Sequence, residues 1–299
     1  MQKAENMKIL FVINPISGGK EKKDWESTIR QYFKESPHNM EFYLLTGAED
    51  AGSVKYYIQS VNPDRVVGVG GDGTIKLLAE LLQNTNIPLG IIPAGSANGM
   101  ARELEIPADI DMALDIAVNG LVKPIDVIDI DGKEICIHLS DIGLNAMLVK
   151  YFEKSEKRGM WGYGKAVLRM LYEKQKMYAT IITDEATYKR KAYMVTIANA
   201  RKYGTGANIN PEGDVADGYF EVVVVRKLNL IEIGKAIFTE KSFHPRRIEV
   251  FKTKKLQLSL LHRSFFQVDG EYRGKIKELT ASIVPNALKI MLPQPKEEG

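Results

Sequence analysis

In the first part of the chain, short apolar runs alternate with segments whose apolar residues recur every three or four positions. Lys8–Ile13 is a run that predicts a strand buried on both faces, whereas Trp25, Ile29 and Phe33 share one face of a helix. The predicted strands are 8–13, 40–45, 65–69 and 88–92, and the helical segments are 22–33, 48–60, 75–83, 98–104 and 111–119. This βαβα order predicts a parallel sheet covered by helices, with ligands bound at the carboxyl ends of its strands.

After residue 122 the pattern changes to runs that predict strands. These strands are 125–130, 134–139, 177–183, 188–198, 218–225, 247–253, 255–261, 265–269 and 278–284, and only 161–174 and 230–240 have helical spacing. Asp131-Gly132 and Asp269-Gly270 fall between strands and predict hairpin turns. We therefore predict an α/β domain over residues 1–122, an antiparallel β-sandwich over 123–292 and a flexible tail over 293–299.

The bulk composition narrows the class of protein. Forty-one Lys and Arg residues against 38 Asp and Glu leave a formal charge of +3, which does not mark a nucleic-acid-binding protein. The single cysteine, Cys136, cannot form an internal disulfide, and with four scattered histidines it cannot build a zinc site. The polar first residues do not resemble a signal peptide, and no apolar run approaches the ~20 residues of a membrane-spanning helix. We expect a soluble, cytoplasmic protein whose membrane contact is peripheral.

Glycine-rich loops follow three of the predicted parallel strands, where main-chain amides can converge on a phosphate. These loops are Asn14–Lys20, Gly70–Thr74 and Pro93–Gly99. The second carries the strongest signal, because its three glycines cost conformational entropy unless the chain must pass close to a ligand. It is not a Walker loop, since no Gly-Lys-Ser/Thr sequence follows it. The loops indicate a nucleotide site in which Asp72 would hold Mg²⁺ or act on an attacking hydroxyl group.

The same residues also admit purely structural explanations. Taken alone, Asn14–Lys20 is better explained as a turn before a helix, because Asn-Pro and Gly-Gly are common at turns. Thr74 and Asn98 are each suited to cap the helix that follows. Asp269-Gly270 is by itself a hairpin turn, and Asp217-Gly218 by itself an ordinary turn.

Taken in order, these motifs resemble those of the diacylglycerol kinase catalytic-domain family, which includes bacterial lipid kinases, sphingosine kinases and ceramide kinases. Each motif alone would be a weak signal, but five in the same order over nearly the whole chain are specific. They are Asn14-Pro15-x-Ser17-Gly18, Gly70-Gly71-Asp72-Gly73-Thr74, Pro93-x-Gly95-Ser96-x-Asn98, Asp214-x-x-Asp217-Gly218-Tyr219-Phe220 and Asp269-Gly270-Glu271.

The resemblance implies an ATP-dependent kinase that phosphorylates the hydroxyl group of a lipid such as diacylglycerol. It implies a nucleotide-binding α/β domain like that of NAD kinases and diacylglycerol kinases, a β-sandwich that receives the lipid, and an active site in the cleft between the two. The residues that would bind ATP are Asn14, Pro15, Ser17, Gly18, Thr46, Gly70, Gly71, Asp72, Gly73, Thr74, Ser96 and Asn98.

The resemblance gives two candidate carboxylates for the catalytic base. Glu271 matches the proton acceptor of the bacterial members, and we assign Asp72 to organise the nucleotide and its metal, although Asp72 is the rival base. The resemblance also implies a structural Mg²⁺ bound to the carboxylate of Asp217 and to main-chain oxygens of Asp214 and Tyr219, since oxygen ligands suit this hard cation.

One departure from the family pattern leaves the acceptor open. Bacterial diacylglycerol kinases carry an acid after the asparagine of the third loop, whereas Gly99 follows Asn98 here, and Pro-Ala-Gly-Ser is closer to the form in sphingosine kinases. A sphingoid base or ceramide is therefore the alternative acceptor. An NAD-kinase-like kinase of a soluble acceptor and a non-catalytic nucleotide- or lipid-binding regulator are the further alternatives.

We expect the protein to meet a lipid substrate at a membrane surface and not to bind nucleic acid. The sequence does not decide whether it forms a homodimer. The segment Lys150–Arg169 carries many cations beside two aromatic residues. It would suit a lid or a membrane-facing patch, but a solvated helix face explains it equally well.

Overall fold

The computed structural model describes residues 6–17, 24–47, 50–153, 169, 173, 175–199, 214–227 and 248–294. The chain divides into two compact units, the first made of Met1–Ile125 with Asn286–Gly299 and the second of Asp126–Pro285. The sequence-based boundary at residue 122 differs from this division chiefly at the other end of the chain, because the last strand returns to the first unit. Of the tail predicted over 293–299, residues 295–299 lie outside the described residues.

The first unit contains the parallel sheet that the sequence predicts. Its strands are β1 (Lys8–Ile13), β2 (Asn39–Leu44), β3 (Arg65–Gly70) and β4 (Leu89–Pro93), paired in the order β2-β1-β3-β4. The end of β14 (Glu271–Leu292) adds a further parallel strand beside β4, with Ile290 opposite Leu89. The central residues of β1 are fully buried, as expected for a strand covered by helices on both faces.

Five helices connect and cover these strands: α1 (Trp25–Tyr32), α2 (Asp50–Val61), α3 (Asp72–Leu82), α4 (Gly99–Glu103) and α5 (Ile110–Asn119). Trp25 and Ile29 are buried, which confirms the predicted apolar face of α1. Helix α3 begins at Asp72 rather than at residue 75, because the N–H groups of Thr74 and Ile75 both bond to the carbonyl of Gly71, at 3.0 and 3.2 Å. The second glycine-rich motif is therefore partly the first turn of a helix.

The second unit is built from antiparallel strands. They are β5 (Leu121–Ile130), β6 (Glu134–Cys136), β7 (Leu139–Gly143), β8 (Met177–Ile182), β9 (Thr187–Ala192), β10 (Met194–Ala198), β11 (Phe220–Val225), β12 (Ile248–Thr253) and β13 (Lys255–Val268), together with most of β14. One path runs β12-β11-β10-β7-β13-β14, while β8 joins β13 to β9 and β5 joins β14 to β6. Strand β13 changes neighbour at an irregularity between Ser259 and Ser264, pairing with β8 before it and with β7 after it. The two resulting layers enclose an apolar core, which confirms the predicted β-sandwich.

Both Asp-Gly pairs form the hairpin turns that the sequence predicts. Asp131 and Gly132 have φ of 54° and 67° between β5 and β6, and Asp269 and Gly270 have φ of 49° and 85° between β13 and β14. Asp-Gly favours positive φ at both central residues of a turn. The β13–β14 loop has two residues, since Val268 lies opposite Glu271, and the β5–β6 loop has three, since Ile130 lies opposite Glu134.

Some elements differ from the sequence-based prediction. The run 134–139 is divided between β6 and β7, and 188–198 is divided between β9 and β10. Helix α6 (Leu144–Glu153) was not predicted, because it follows β7 without a break in apolar character and packs Leu144, Met147 and Leu148 against neighbouring strands. Of the predicted helix 161–174 only Arg169 and Glu173 are described, both helical, and 230–240 lies outside the described residues. Along the described ranges, no helix has both the length and the apolar content needed to cross a bilayer.

Candidate active site

The loops after β1, β3 and β4 are tied to one another at one edge of the parallel sheet. The N–H of Asn14 donates to the carbonyl of Val69 at 2.9 Å, and the N–H of Ala94 donates to the carbonyl of Gly70 at 2.9 Å. The side-chain amide of Asn14 also reaches the hydroxyl oxygen of Thr74, at 3.4 Å. The predicted nucleotide-binding loops therefore meet at the carboxyl ends of their strands.

Close packing within this edge explains three of the glycines. A Cβ on Gly95 would lie 2.5 Å from the Cα of Gly71, so the second and third loops touch main chain to main chain. A Cβ on Gly70 would lie 2.3 Å from the hydroxyl oxygen of Thr74. Close packing within the protein therefore already requires glycine at these positions, with or without a bound phosphate.

The carboxylate of Asp72 joins the second loop to the third. Its Oδ1 accepts a hydrogen bond from the N–H of Met100, at 3.1 Å, at the start of α4. This bond engages one carboxylate oxygen. Asp72 lies at the N-terminus of the 11-residue helix α3, whose N-cap residue is Gly71 and which has no side-chain cap.

The side chain of Asn98 closes the third loop instead of capping α4. Its Oδ1 accepts from the N–H of Gly95 at 2.8 Å, and its Nδ2 donates to the carbonyl of Gly95 at 2.9 Å. The residue adopts the left-handed conformation, with φ of 50°, and makes no side-chain cap to the helix. Asn98 is therefore the N-cap residue of α4 by position but not through its side chain, and Thr74, the alternative cap of the preceding helix, lies inside the first turn of α3. Ser96, in the same loop, is exposed.

The first loop is ordered around Asn14. Its Oδ1 accepts from the N–H of Ile16 at 3.2 Å, and its carbonyl accepts from the N–H of Ser17 at 3.2 Å. Pro15 is exposed at the tip of this turn. The predicted phosphate-binding residue Gly18 lies outside the described residues.

Thr46 follows β2, the neighbour of β1, and so lies at the same edge of the sheet. Its N–H and hydroxyl donate to Oδ1 of Asp50, at 3.0 and 2.8 Å, and the N–H of Gly47 donates to Oδ2 at 2.8 Å. Burial acts to raise the pKa of Asp50, but these hydrogen bonds outweigh it and leave the pKa below its usual value. Thr46 is therefore held by a charge-assisted contact at the start of α2.

In the second unit, Glu271 is the first residue after the turn between β13 and β14. Its Oε2 accepts from Nη2 of Arg273 at 2.7 Å, while Nε of Arg273 donates to both carboxylate oxygens of Glu134 at 3.0 Å. Burial acts to lower the pKa of Arg273, but its bonds to Glu271 and Glu134 raise it above the usual value. The predicted placement of the active site in an interdomain cleft stays a prediction.

The carboxylate of Asp269 fixes this turn in place. Its two oxygens accept hydrogen bonds from the N–H groups of Ile137, His138 and Leu139, at 3.1, 3.0 and 3.2 Å. The N–H of Gly270 donates to Oε1 of Gln267 at 2.6 Å. Three amides on one carboxylate are a strong anchor, so the start of β14 is well positioned.

The turn predicted to hold a structural Mg²⁺ already contains a cation. Oδ1 of Asp217 accepts from the N–H of Tyr219 at 2.9 Å, and Oδ2 lies 2.6 Å from Nζ of Lys252. The hydrogen bond to Asp217 raises the pKa of Lys252, and Nζ also lies 5.1 Å from the centre of the Tyr219 ring. The carboxylate of Asp214 is exposed and accepts from the N–H of Ala216 at 3.0 Å. Among the described residues, no group of three or more His, Cys, Asp or Glu side chains is arranged to hold a metal.

The Asp217 carboxylate is paired with a lysine, and the structural Mg²⁺ at this turn stays a prediction. An ammonium group at hydrogen-bonding distance from the Asp217 carboxylate supplies the positive charge that the family pattern assigns to Mg²⁺. Asp126 supports the same turn from the interior, because its Oδ2 accepts from the N–H of Gly218 at 2.7 Å. The turn is therefore held by protein groups.

Comparisons with known proteins agree with this architecture. Residues 8–130 match the diacylglycerol kinase catalytic domain, and residues 140–292 match the YegS C-terminal NAD kinase beta sandwich-like domain. The chain belongs to the diacylglycerol kinase catalytic-domain family. A diacylglycerol kinase of Bacillus subtilis is 25% identical over 297 residues, covering 96% of this chain and 97% of the relative. One from Staphylococcus saprophyticus is 27% identical over 226 residues, covering 72% of each chain.

Solved structures of the family confirm the fold of this member. A diacylglycerol kinase structure from Bacillus anthracis covers 97% of this chain and 98% of its own, with a TM-score of 0.73 and 20% identity. A second structure from the same organism covers 98% of both chains, with a TM-score of 0.77 and 21% identity. At this identity the likeness concerns the arrangement of strands and helices.

Sequence reasoning missed three side chains that the structure brings to the candidate residues. Arg273 contacts Glu271, Lys252 contacts Asp217, and Asp126 supports the turn of Asp217. For Arg273 the sequence offers one signal, its position two residues after Glu271. The other two contacts join residues 35 and 92 positions apart, which spacing along the sequence does not reveal.

Proposed function

We propose that this family member transfers the γ-phosphoryl group of ATP to the hydroxyl group of a lipid, with diacylglycerol as the first candidate acceptor. The observation that carries the proposal is that hydrogen bonds join the loops at the carboxyl ends of the parallel strands. Asn14 donates to Thr74, and Asp72 accepts from the N–H of Met100 at the start of α4. In a chain of this family, such an arrangement favours a site for the phosphates of a nucleotide.

The uncapped start of α3 suits a polyphosphate. Unpaired N–H groups and the helix dipole both favour negative charge at this end of a helix. When bound with the nucleotide, Mg²⁺ would neutralise charge on the phosphates, and the Asp72 carboxylate is the group of this edge that would hold it. Because one Asp72 oxygen is bonded to a main-chain amide, we assign Asp72 to organise the nucleotide.

Glu271 is the group to which we assign the substrate proton. Phosphoryl transfer asks little covalent chemistry of the protein, so positioned groups and charge neutralisation account for most of the rate. The Glu271 carboxylate lies on a turn anchored by Asp269, and it contacts no main-chain amide among its hydrogen bonds in the described chain. We therefore assign the proton to Glu271, the residue that matches the proton acceptor of the family motif, and keep Asp72 as the rival base.

Radiolabelled ATP tests the proposal directly. The full chain is incubated with [γ-³²P]ATP, Mg²⁺ and mixed micelles of 1,2-dioleoylglycerol, sphingosine or ceramide, with NAD as a soluble acceptor in a parallel reaction. We expect label in phosphatidate and none in NAD.

The other outcomes separate the alternatives. Label in sphingosine phosphate or ceramide phosphate alone would replace diacylglycerol but keep a lipid kinase. Label in NAD alone would establish a soluble acceptor. ATP binding by calorimetry without label in any acceptor, including a total lipid extract, would identify a non-catalytic binding protein.

A further inference from the structure

The Glu271 side chain belongs to a chain of three charged groups contributed by two strands. Arg273 donates from Nη2 to Glu271 and from Nε to Glu134, so one guanidinium joins a carboxylate on β14 to a carboxylate on β6. The family motif ends at Glu271, and neither Arg273 nor Glu134 is part of it. We propose that Arg273 is a positioning residue that fixes the orientation of the Glu271 carboxylate, and that Glu134 fixes Arg273. This inference rests on the proposed function.

Arg273 lies at a β-bulge of β14, next to the turn that carries Glu271. Phe266 lies opposite Gly274 and Gln267 lies opposite Tyr272, so Arg273 is the extra residue of the bulge, and its guanidinium reaches the Glu271 carboxylate from there. Glu134 begins β6, which pairs with β5. The guanidinium is planar and carries several N–H donors in a fixed arrangement, so it can hold two carboxylates at a set angle.

The exposure of the three side chains argues against a role in stability alone. The side chains of Glu271, Arg273 and Glu134 are 45%, 33% and 21% exposed, and ion pairs at such positions contribute little to folding. A glutamate on a strand is free to rotate about its side-chain bonds, and a carboxylate that must meet a hydroxyl group gains from losing that freedom. The contact therefore serves orientation.

The arrangement also separates the two oxygens of Glu271. Arg273 engages Oε2, and we assign Oε1 to the substrate. In the step, the O–H bond of the lipid hydroxyl breaks and its oxygen forms a bond to the γ-phosphorus. The bond from that phosphorus to the bridging oxygen of ADP breaks, and the proton passes to Oε1.

A double-mutant cycle tests whether Arg273 acts through Glu271. We expect Arg273→Met to lower kcat for dioleoylglycerol by about 10-fold with the KM for ATP unchanged, and Arg273→Lys to recover part of the loss. In the Glu271→Gln background, Arg273→Met should cause no further loss of kcat. Equal losses in both backgrounds would overturn the inference, because a general structural defect does not depend on Glu271.

Spectroscopy tests the contact without relying on activity. In protein labelled with ¹³C at glutamate carboxyl groups, the Glu271 resonance is the one lost in Glu271→Gln. We expect Arg273→Met and Glu134→Gln to shift this resonance at pH 7. The matched control is Arg190→Met, which removes an ion pair to Glu249 in the same unit and should leave the resonance in place.

The phosphorylation assay and the Glu271 resonance test the kinase proposal and the role of Arg273 separately. Absence of phosphorylated lipid with the wild-type protein would reject the lipid kinase, while the resonance still reports on the contact. An active kinase whose Glu271 resonance ignores both substitutions would reject the role of Arg273 and leave the kinase standing.

Discussion

The two candidate acids are held in different ways, and the difference decides what a substitution at each can reveal. Asp72 lies in the first turn of α3 and accepts from a main-chain amide of another loop. Glu271 projects from an anchored turn and bonds to the side chain of Arg273. Loss of Asp72 therefore disturbs the loops as well as the chemistry, whereas loss of the Glu271 charge leaves the main chain as it is. Inactivity at position 271 is the cleaner evidence for a catalytic role.

The largest effect is expected from Glu271→Gln. Removing a general base typically lowers kcat by about 10²–10⁴-fold, and the free energy of unfolding should stay within about 0.5 kcal/mol of the wild type. Lipid phosphorylation and urea unfolding measure the two quantities. The control is Glu278→Gln, an exposed glutamate on the same strand, for which we expect full activity. Near-normal activity of Glu271→Gln would remove this residue from the mechanism.

Gly95→Ala tests the close packing of the two loops that follow β3 and β4. The added Cβ would meet the Cα of Gly71 at 2.5 Å and Oδ1 of Asn98 at 2.8 Å, so we expect a loss of about 1–3 kcal/mol in stability. Gly52→Ala is the matched control, because no atom lies within 4 Å of its Cβ and alanine favours the helix, so stability should rise by about 0.5–1 kcal/mol. Urea unfolding compares the two, and an unchanged midpoint for Gly95→Ala would contradict the close approach of the loops.

A pair of substitutions separates the structural and chemical roles of Asp72. Asparagine retains an oxygen that accepts from the N–H of Met100, whereas alanine does not, so only Asp72→Ala should lose about 0.5–2 kcal/mol of stability. Both variants should lose lipid phosphorylation, since both lack the negative charge. If Asp72→Asn keeps its activity, the carboxylate charge is not needed to organise the nucleotide.

The smallest effect is expected at the Asp217 turn. Because Lys252 supplies the cation, EDTA without nucleotide should shift the Tm of the wild-type protein by less than about 1 °C, and Lys252→Met should lower it only slightly. The pKa of Lys252 is raised in the folded protein, so its contribution is present below the unfolded pKa and disappears as pH rises through the folded one. Tm measured up to high pH checks this sign. A large fall in Tm with EDTA would instead support a structural metal at this turn.

Local chemistry made much of the fold predictable. The strand β1 and the turn at Asp269-Gly270 follow from apolar runs and from the tolerance of Asp-Gly for positive φ. Helix α6 was missed because its apolar residues continue those of β7, which gives no change of pattern at the boundary. Its packing partners Met194 and Val225 come from strands much later in the chain.

The sequence predicts where the residues of the candidate site lie better than it predicts which residues they contact. Motif order places Asn14, Thr74 and Asp72 at one edge, because parallel strands end on the same side of a sheet. The bonds from Asp72 to Met100 and from Lys252 to Asp217 depend on where loops and strands meet in space. Propensity and spacing carry no information about such contacts.

The return of β14 to the first unit has a consequence for biosynthesis. The edge of β4 is paired with a strand whose residues belong to the last part of the chain, and the N–H of Asn84 also bonds to the carbonyl of Ala287, at 2.6 Å. During translation, the first unit therefore emerges from the ribosome with an unpaired strand edge and cannot complete its sheet until residues 286–292 have been made. Exposed edges of this kind promote association between nascent chains, so truncation before residue 286 should trap the protein in aggregates.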